Sequence, residues 1–276
     1  CSLIYFAYFE FKENFFMNVL ITNDDGYEAE GINVIAKELS AAGHKVYILA
    51  PLSNRSAVSH CISMHNHLEL KKIDGNVWAS SGYPADCVIT AITSNVFENV
   101  KFDLVISGIN RGPNVGTDII YSGTCAGARQ GALLNIPSIA LSVNSEDGKF
   151  CATSIFDYKA LAKFVKNNIE KLIEIVTKSE KKVFLNVNAP SVKVFKGVKL
   201  CNLLCKRYYN DYIDVVPTEN NNVFKSQFVM GNGTTDTSFE EDLGAINEGY
   251  IAISTILVEP IASNPSEILD CNSFSV

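Results

Sequence analysis

Two adjacent carboxylates near the start of the chain are the clearest candidates for chemistry. Asp24 and Asp25 follow residues 19–22, an apolar and β-branched run that predicts a buried strand, with only Asn23 between them and the run. Ligands of open α/β sheets bind beyond the carboxyl ends of the strands. Two ionised aspartates there repel each other and call for a cation, and oxygen ligands favour Mg²⁺ or Mn²⁺. The alternative interpretation is a simple turn, because Asn, Asp and Gly are favoured turn residues.

Further oxygen ligands follow two other predicted strands. Residues 46–50 predict a strand parallel to the first, and the loop after it carries Ser56. Residues 103–110 predict another buried strand, which ends at Asn110. Because the carboxyl ends of parallel strands meet at one edge of the sheet, the hydroxyl of Ser56 and the amide of Asn110 are expected beside the aspartate pair. The neighbouring Arg55 is a candidate for contact with an anion.

Two predicted helix N-termini are candidate phosphate sites. One helix begins after Ser122 or Thr124, either of which can cap it, and its small residues allow a close approach to the sheet. The other begins at Pro84, a residue that suits the first helical position. The polar loop after Asn110 contributes a further amide side chain. The candidate phosphate contacts are therefore Asn110, Asn114, Ser122, Gly123 and Thr124.

Composition narrows the class of protein. The chain has 276 residues, is 47% hydrophobic and carries a formal net charge of -7 without a basic block, which argues against a nucleic-acid partner. The eight cysteines form no C-x-x-C pair, so we expect them to be small buried residues in a reducing compartment, the cytoplasm. His65 and His67 would share a face of a strand as a two-ligand metal site, but surface positions are the favoured interpretation.

The first sixteen residues differ from the rest. The segment 1–16 is rich in Phe and Tyr, too short and too charged for a membrane span, and lacks the basic start of a signal peptide. We interpret it as a non-native or disordered extension, with Met17 as the natural start. The alternative is an additional strand or a partner-binding arm.

The remaining chain, residues 17–276, predicts a single α/β domain with a mostly parallel sheet. Strands and helices alternate through residues 17–195, including a long amphipathic helix in the range 156–177. Residues 196–276 contain short β-rich pieces around the polar run 219–222, which predicts a β-hairpin arm and a C-terminal oligomerisation segment.

Five ordered motifs resemble the SurE family of survival proteins. They are residues 23–26 (NDDG), 54–56 (NRS), 84–88 (PADCV), 107–114 (SGINRGPN) and 121–124 (YSGT), with closing segments at 235–237 (TDT) and 248–251 (EGYI). The resemblance covers residues 19–254 and is specific because the motifs occur together and in order.

The resemblance implies a Rossmann-like three-layer αβα sandwich and a metal-dependent nucleotidase. Such enzymes hydrolyse nucleoside 5′-monophosphates, often 3′-monophosphates and in some members short polyphosphate. The implied ligands of one divalent ion per subunit, Mg²⁺ or Mn²⁺, are Asp24, Asp25, Ser56 and Asn110. Asp24 and Asp25 are also the implied catalytic residues, because the metal would activate a water and one of the two would be nearest to take its proton. A homodimer or homotetramer formed through the C-terminal arm is implied as well.

Two departures from the family pattern concern specificity. Tyr83 stands where the family commonly has Thr, in a loop that borders the substrate, so the base or sugar preference is expected to differ. Arg129 and Gln130 replace a pair that is usually less basic and often contains Glu. Neither departure affects an implied metal ligand.

Other functions remain as alternatives or are excluded. A non-catalytic nucleotide-binding sensor on the same fold is the main alternative. A phosphatase with an aspartate nucleophile normally separates its two aspartates by one residue, whereas Asp24 and Asp25 are adjacent. A nicotinamide dehydrogenase is excluded because no G-x-G-x-x-G motif follows the first strand.

Overall fold

The structure is a computed structural model that describes residues 16–148, 153–204, 212–220, 222–229 and 237–260. The predicted extension 1–16 lies outside the described residues except for Phe16, and so does most of the predicted closing segment 235–237. Expectations for those stretches stay predictions.

The described part contains eleven strands and five α-helices. The strands are β1 (Asn18–Thr22), β2 (Lys45–Pro51), β3 (Leu70–Asp74), β4 (Val77–Ser80), β5 (Leu104–Arg111), β6 (Ser138–Val143), β7 (Val183–Ala189), β8 (Val198–Leu200), β9 (Tyr212–Pro217), β10 (Phe224–Val229) and β11 (Ile251–Leu257). The helices are α1 (Glu30–Ala41), α2 (Pro84–Thr93), α3 (Gly123–Leu133), α4 (Lys159–Thr177) and α5 (Asp242–Asn247), with a 3-10 helix at Gly116–Ile120.

Nine strands form one sheet in the order β3-β4-β2-β1-β5-β6-β7-β11-β8. The six strands from β4 to β7 are parallel to their neighbours, whereas β3 and β11 run antiparallel to β4 and β7. The chain builds β1, β2 and β4 outward in one direction and then returns to place β5 on the other side of β1. The carboxyl ends of β1 and β5 therefore flank the point where the strand order reverses, which is the usual ligand position in such sheets.

Helices cover both faces of the sheet, because the strand side chains alternate between two apolar layers. In β1, Val19 and Ile21 belong to the core cluster that includes Ile32 of α1 and Leu161 of α4. The intervening Leu20 packs instead with Val88 of α2. This arrangement confirms the predicted three-layer αβα sandwich.

The region after residue 195 contributes to two structures. Strands β9 and β10 pair as the predicted antiparallel hairpin. Strands β8 and β11, in contrast, extend the main sheet beyond β7, and α5 packs on β11 through the cluster of Ala245, Ile246 and Ala252. The predicted division at residue 195 stays a prediction about domain organisation. Within the described residues, no helix is both long and apolar enough to span a membrane.

Candidate active site

The loop after β1 holds the two aspartates in a tight turn. The side chain of Asn23 accepts a hydrogen bond from the Gly26 amide (3.2 Å) and donates one to the Gly26 carbonyl (2.8 Å). Gly26 has a φ of +106°, a conformation that favours glycine. Asn23 and Gly26 thus stabilise the turn, and the side-chain carboxylates of Asp24 and Asp25 are not needed for it.

Asp24 is a buried carboxylate, with 3% of its surface exposed. Its Oδ1 accepts a 2.5 Å hydrogen bond from the hydroxyl of Thr124, at the start of α3. Burial and, secondarily, the charge of Asp25 raise the pKa of Asp24 to about 6, although the hydrogen bonds from Thr124 act in the opposite direction. An ionised Asp24 is therefore unfavourable unless a positive charge offsets it.

Asp25 faces the end of β5. Its Oδ2 accepts a hydrogen bond from the Arg111 amide at 3.0 Å, and its Oδ1 lies 3.5 Å from the side-chain nitrogen of Asn54. Burial raises the pKa of Asp25, while the amide and the charge of Arg111 lower it. The Arg111 guanidinium lies 4.9 Å from the centre of the Phe156 ring.

The loop after β2 reaches the aspartates as the sequence predicted. The Arg55 amide donates to the Asp24 carbonyl at 2.6 Å, and the Ser56 amide donates to the side-chain oxygen of Asn54 at 2.8 Å. Ser56 is exposed. The Arg55 guanidinium donates to the Ser81 carbonyl (2.8 Å) and lies 5.4 Å from the centre of the Tyr83 ring. Tyr83, the departure noted in the sequence, is therefore in contact with a residue adjoining Ser56.

Asn110 lies at the end of β5, and its neighbour Arg111 contacts Asp25. The side-chain nitrogen of Asn110 donates to the Gly112 carbonyl at 2.9 Å, which fixes the amide and leaves its oxygen available as an acceptor. Helix α1 packs closely on this strand, since a Cβ on Gly31 would lie 1.9 Å from the Ile109 carbonyl oxygen.

Helix α3 brings its N-terminus against the aspartates. Ser122 caps the helix by accepting a 3.0 Å hydrogen bond from the Cys125 amide. A Cβ on Gly123 would lie 2.8 Å from the Cβ of Asp24, and one on Gly127 would lie 2.7 Å from the Ser107 hydroxyl. The small residues of α3 therefore permit the close approach that the sequence predicted. Its N-terminus presents amide donors and a positive dipole end beside the carboxylates.

Asn114 is placed differently from the other candidates. It is buried, and its amide donates to the Asn188 side chain (2.8 Å) while its carbonyl accepts from Asn186 (2.7 Å) and Asn188 (3.0 Å). Its side-chain nitrogen donates to the Ser142 hydroxyl at 2.8 Å. These contacts anchor the loop after β5 to the sheet, and contact between Asn114 and phosphate stays a prediction.

The second candidate phosphate site, at the N-terminus of α2, contains a carboxylate of its own. Asp86 accepts hydrogen bonds from the Tyr83 amide (2.9 Å) and from the amide and hydroxyl of Ser63 (2.8 and 2.9 Å). This negative charge disfavours an anion there, so α3 is the better of the two helix N-termini.

The donor set suits a hard divalent cation. Asp24, Asp25, Ser56 and Asn110 offer only oxygen atoms, and the burial of Asp24 beside a second carboxylate provides a reason to bind positive charge. In the part of the chain that the structure describes, no three His, Cys, Asp or Glu side chains cluster as an alternative metal site. His65 and His67 are exposed, in agreement with the surface interpretation.

Two features near the site were not found from the sequence. Thr124 donates to Asp24, whereas its sequence motif indicated only a helix cap or a phosphate contact. Asp242 is buried and accepts a hydrogen bond from the Gly116 amide in the loop after β5, 126 positions earlier in the chain. No pattern in the sequence around Asp242 indicates this contact. The departures at residues 129 and 130 lie further along α3, where Arg129 packs over the Phe184 ring and Gln130 hydrogen bonds to His60.

The fold and the site define a class: a Rossmann-like α/β protein with an oxygen-lined acidic site at the switch point of its sheet. The family model described as Survival protein SurE matches residues 19–210, and the chain belongs to this family.

Comparison with known proteins supports this assignment. The chain is 38% identical over 249 residues to the 5'-nucleotidase SurE of Clostridium beijerinckii, covering 87% of this chain and 92% of that protein. It is 40% identical over 250 residues to the 5'-nucleotidase SurE of Thermosipho melanesiensis, covering 88% and 92%. The crystal structure of the SurE protein from Aquifex aeolicus superposes with a TM-score of 0.72 at 30% identity, covering 91% of this chain and 96% of that one.

Proposed function

We propose that this protein is a metal-dependent 5′-nucleotidase that hydrolyses nucleoside 5′-monophosphates to nucleoside and phosphate. The observation that carries the proposal is the approach of the α3 N-terminus to the buried Asp24, with a Cβ on Gly123 only 2.8 Å from that of Asp24. A pair of carboxylates next to a helix N-terminus provides a place for a cation and, beside it, a place for a phosphate. The names of the relatives point to the same activity.

The proposed cofactor is one Mg²⁺ or Mn²⁺ ion per subunit. Asp24 and Asp25 would supply the charged ligands, and Ser56 and Asn110 the neutral ones. When bound, such an ion stabilises charge on phosphate oxygens and makes water a better nucleophile. The hydrogen bond from Thr124 fixes the position of Asp24 Oδ1, and the Arg111 amide fixes Asp25 Oδ2.

The N-terminus of α3 is the proposed phosphate contact. The hydroxyl of Ser122 accepts from Cys125 and still has its own proton to donate, and the amide of Gly123 belongs to the first turn of the helix. The hydroxyl of Thr124 is directed to Asp24, so this side chain orients the carboxylate. These donors would stabilise the charge that develops on the phosphoryl oxygens during attack by water.

The proton of the attacking water is proposed to pass to a carboxylate oxygen of Asp24 or Asp25. Both carboxylates belong to the proposed metal site, and their side-chain hydrogen bonds described above involve Thr124, Arg111 and Asn54 but no histidine. The bond between phosphorus and the nucleoside oxygen then breaks on the opposite side of the phosphorus, and that oxygen takes up a proton from solvent while the carboxylate returns its proton to solvent. Hydrolysis of 3′-monophosphates and short polyphosphate belongs to the same proposal, because both present a terminal phosphoryl group.

The proposed assembly is a cytoplasmic homodimer or homotetramer formed through the C-terminal arm. The β9–β10 hairpin exposes apolar side chains on both strands, among them Ile213, Val215, Phe224 and Phe228. A two-stranded hairpin with such surfaces is only marginally stable alone, and a second copy of the chain would cover them.

The test is phosphate release from a panel of nucleoside monophosphates with Mn²⁺, Mg²⁺ or EDTA. Wild type, Asp25→Asn and the control Asp74→Asn, which removes the same charge from the exposed edge strand β3, are compared. Turnover that requires metal, is lost in Asp25→Asn and is retained in Asp74→Asn supports the proposal. Nucleotide binding without release under any metal would contradict it and leave the non-catalytic sensor.

A further inference from the structure

Asp242 is a fully buried carboxylate at the first position of α5. Its Oδ2 accepts a 2.8 Å hydrogen bond from the Gly116 amide, and its Oδ1 accepts from the amides of Leu204 (3.1 Å) and Leu243 (2.9 Å). Two of these amides belong to segments that are distant from α5 in sequence. One carboxylate therefore joins the loop after β5, the chain that precedes the β9–β10 hairpin, and α5.

The contact is close and is reinforced by packing. Gly116 has a φ of +53°, and a Cβ on it would lie 2.2 Å from the Leu204 carbonyl oxygen. The preceding Val115 is 2% exposed and packs in the cluster of Ala245 and Ile246 of α5. The loop after β5 is thus fixed to the C-terminal segment at both Val115 and Gly116.

Backbone hydrogen bonds connect this anchor to the site, beginning with the Asp118 amide, which donates to the Val115 carbonyl at 3.1 Å. Gly116 begins the 3-10 helix, and the amides of Tyr121 and Ser122 both donate to the Asp118 carbonyl, at 3.0 and 3.1 Å. Ser122 then caps α3, whose next residue, Gly123, lies against Asp24. The position of the α3 N-terminus therefore depends on where the 3-10 helix begins.

We propose that Asp242 is a positioning residue for the phosphate-binding end of the site: its carboxylate sets the start of the 3-10 helix and, through it, Ser122 and Gly123. At the metal-binding end, Asp25 is held by the Arg111 amide, which lies outside α3. Asp24 is held by Thr124 of the same helix turn, but also by the Arg55 amide, which donates to its carbonyl. Loss of Asp242 therefore weakens phosphate binding more than it weakens metal binding. The inference rests on the proposed function only in treating the α3 N-terminus as the phosphate contact.

The first test compares Asp242→Asn with Glu240→Gln. Both remove one negative charge from neighbouring positions, but Glu240 is exposed and pairs with Lys199. The amide nitrogen in Asp242→Asn presents a donor to one of the backbone amides. We expect the dissociation constant of inorganic phosphate, measured by calorimetry with Mn²⁺ present, to rise about tenfold or more. This is the effect of losing one hydrogen bond between the displaced α3 N-terminus and the charged phosphate. The dissociation constant of Mn²⁺ should rise by a smaller factor, and all values for Glu240→Gln should stay unchanged.

Hydrogen exchange gives a second readout that does not depend on turnover. The Gly116 amide should exchange faster in Asp242→Asn, whereas the Arg111 amide, which donates to Asp25, should keep its protection. A merely structural role would lower the folded fraction and leave both dissociation constants of the folded protein unchanged. Unchanged phosphate affinity together with unchanged exchange at Gly116 would overturn the proposal.

A second variant covers the case in which Asp242→Asn does not fold. Gly116→Ala disturbs the same contact without a change of charge, because its Cβ would meet the Leu204 carbonyl. Gly75→Ala is its control, since Gly75 also has a positive φ (+44°) but has no atom within 4 Å of the added Cβ. Gly116→Ala should weaken phosphate binding and Gly75→Ala should not; equal effects would contradict the inference. Wild type that binds phosphate but releases none from nucleotides would refute the proposed function alone.

Discussion

The buried charge of Asp24 makes a quantitative prediction about stability in the absence of metal. Its pKa in the folded protein is about 6, compared with 3.8 for the unfolded chain. As the pH rises, Asp24 loses its proton at a lower pH in the unfolded chain than in the folded protein. The stability that its carboxyl group contributes is therefore fully present below pH 3.8 and is lost as the pH rises through about 6. The calculated loss is about 1 kcal/mol at pH 4.5 and about 3 kcal/mol at pH 7.5.

Asp24→Asn removes this titration. The difference in unfolding free energy between variant and wild type should therefore shift in favour of the variant by about 2 kcal/mol between pH 4.5 and pH 7.5. Any constant effect of the altered hydrogen bond with Thr124 cancels when only the pH dependence is compared. Urea unfolding in EDTA at several pH values measures the difference, and Asp74→Asn on the exposed β3 strand serves as the control.

A difference between Asp24→Asn and wild type that is constant across this pH range would refute the reasoning about Asp24. Addition of Mn²⁺ provides a complementary test. A metal ion that binds the folded protein shifts the folding equilibrium toward the folded state. If Asp24 coordinates the metal, saturating Mn²⁺ therefore stabilises the wild type at pH 7.5 and has no comparable effect on Asp24→Asn. Equal stabilisation of both proteins by Mn²⁺ would show that Asp24 does not coordinate the metal.

Three further variants test other contacts. Thr124→Val removes the hydroxyl that donates to Asp24 and should lower kcat/KM about tenfold to a hundredfold, whereas Thr124→Ser should retain most activity; equal rates would contradict the orienting role. Gly127→Ala places a Cβ 2.7 Å from the Ser107 hydroxyl and should destabilise the fold by about 1–3 kcal/mol in urea, whereas Ala at the exposed Gly75 should cost only the strain of its φ of +44° and involves no steric clash. Tyr83→Thr should change the relative kcat/KM among nucleoside monophosphates but not that for p-nitrophenyl phosphate, and parallel changes for all substrates would argue against contact with the nucleoside.

Much of the central sheet was predictable, because its strands are buried on both faces and end in marked turn residues. The run before Asp24 and the run before Asn110 became β1 and β5, and the βαβ pattern correctly predicted β2 as a parallel neighbour of β1. The position of β5 on the other side of β1 was not predicted, because it depends on the reversal of the strand order. Helix α4, by contrast, begins at Lys159, three residues after the predicted start at 156, and ends at Thr177 as predicted. The side chain of Asp157 accepts a hydrogen bond from the Lys159 amide at the start of the helix. The apolar residues at helical spacing, from Leu161 onward, therefore predicted the helix correctly, and only its first turn was placed too early.

The outer parts of the site depended on contacts that local sequence does not encode. Strand β11 alternates like any other strand, and nothing in its sequence says that it runs antiparallel to β7. Asp242 lies in an acidic run that is typical of a solvated surface, yet it is fully buried because the Gly116 and Leu204 amides come to it from distant segments. Contacts between segments so distant in the chain cannot be predicted from local sequence patterns or motif spacing.

The order in which the ribosome makes these segments has a consequence for synthesis. Asp24 emerges 100 residues before Thr124, and Gly116 emerges 126 residues before Asp242. At translation rates of about 5–20 residues per second, each separation corresponds to roughly 5–25 s. A nascent chain therefore carries its aspartate turn well before the helix that orients Asp24, and it completes the anchor of the phosphate end last.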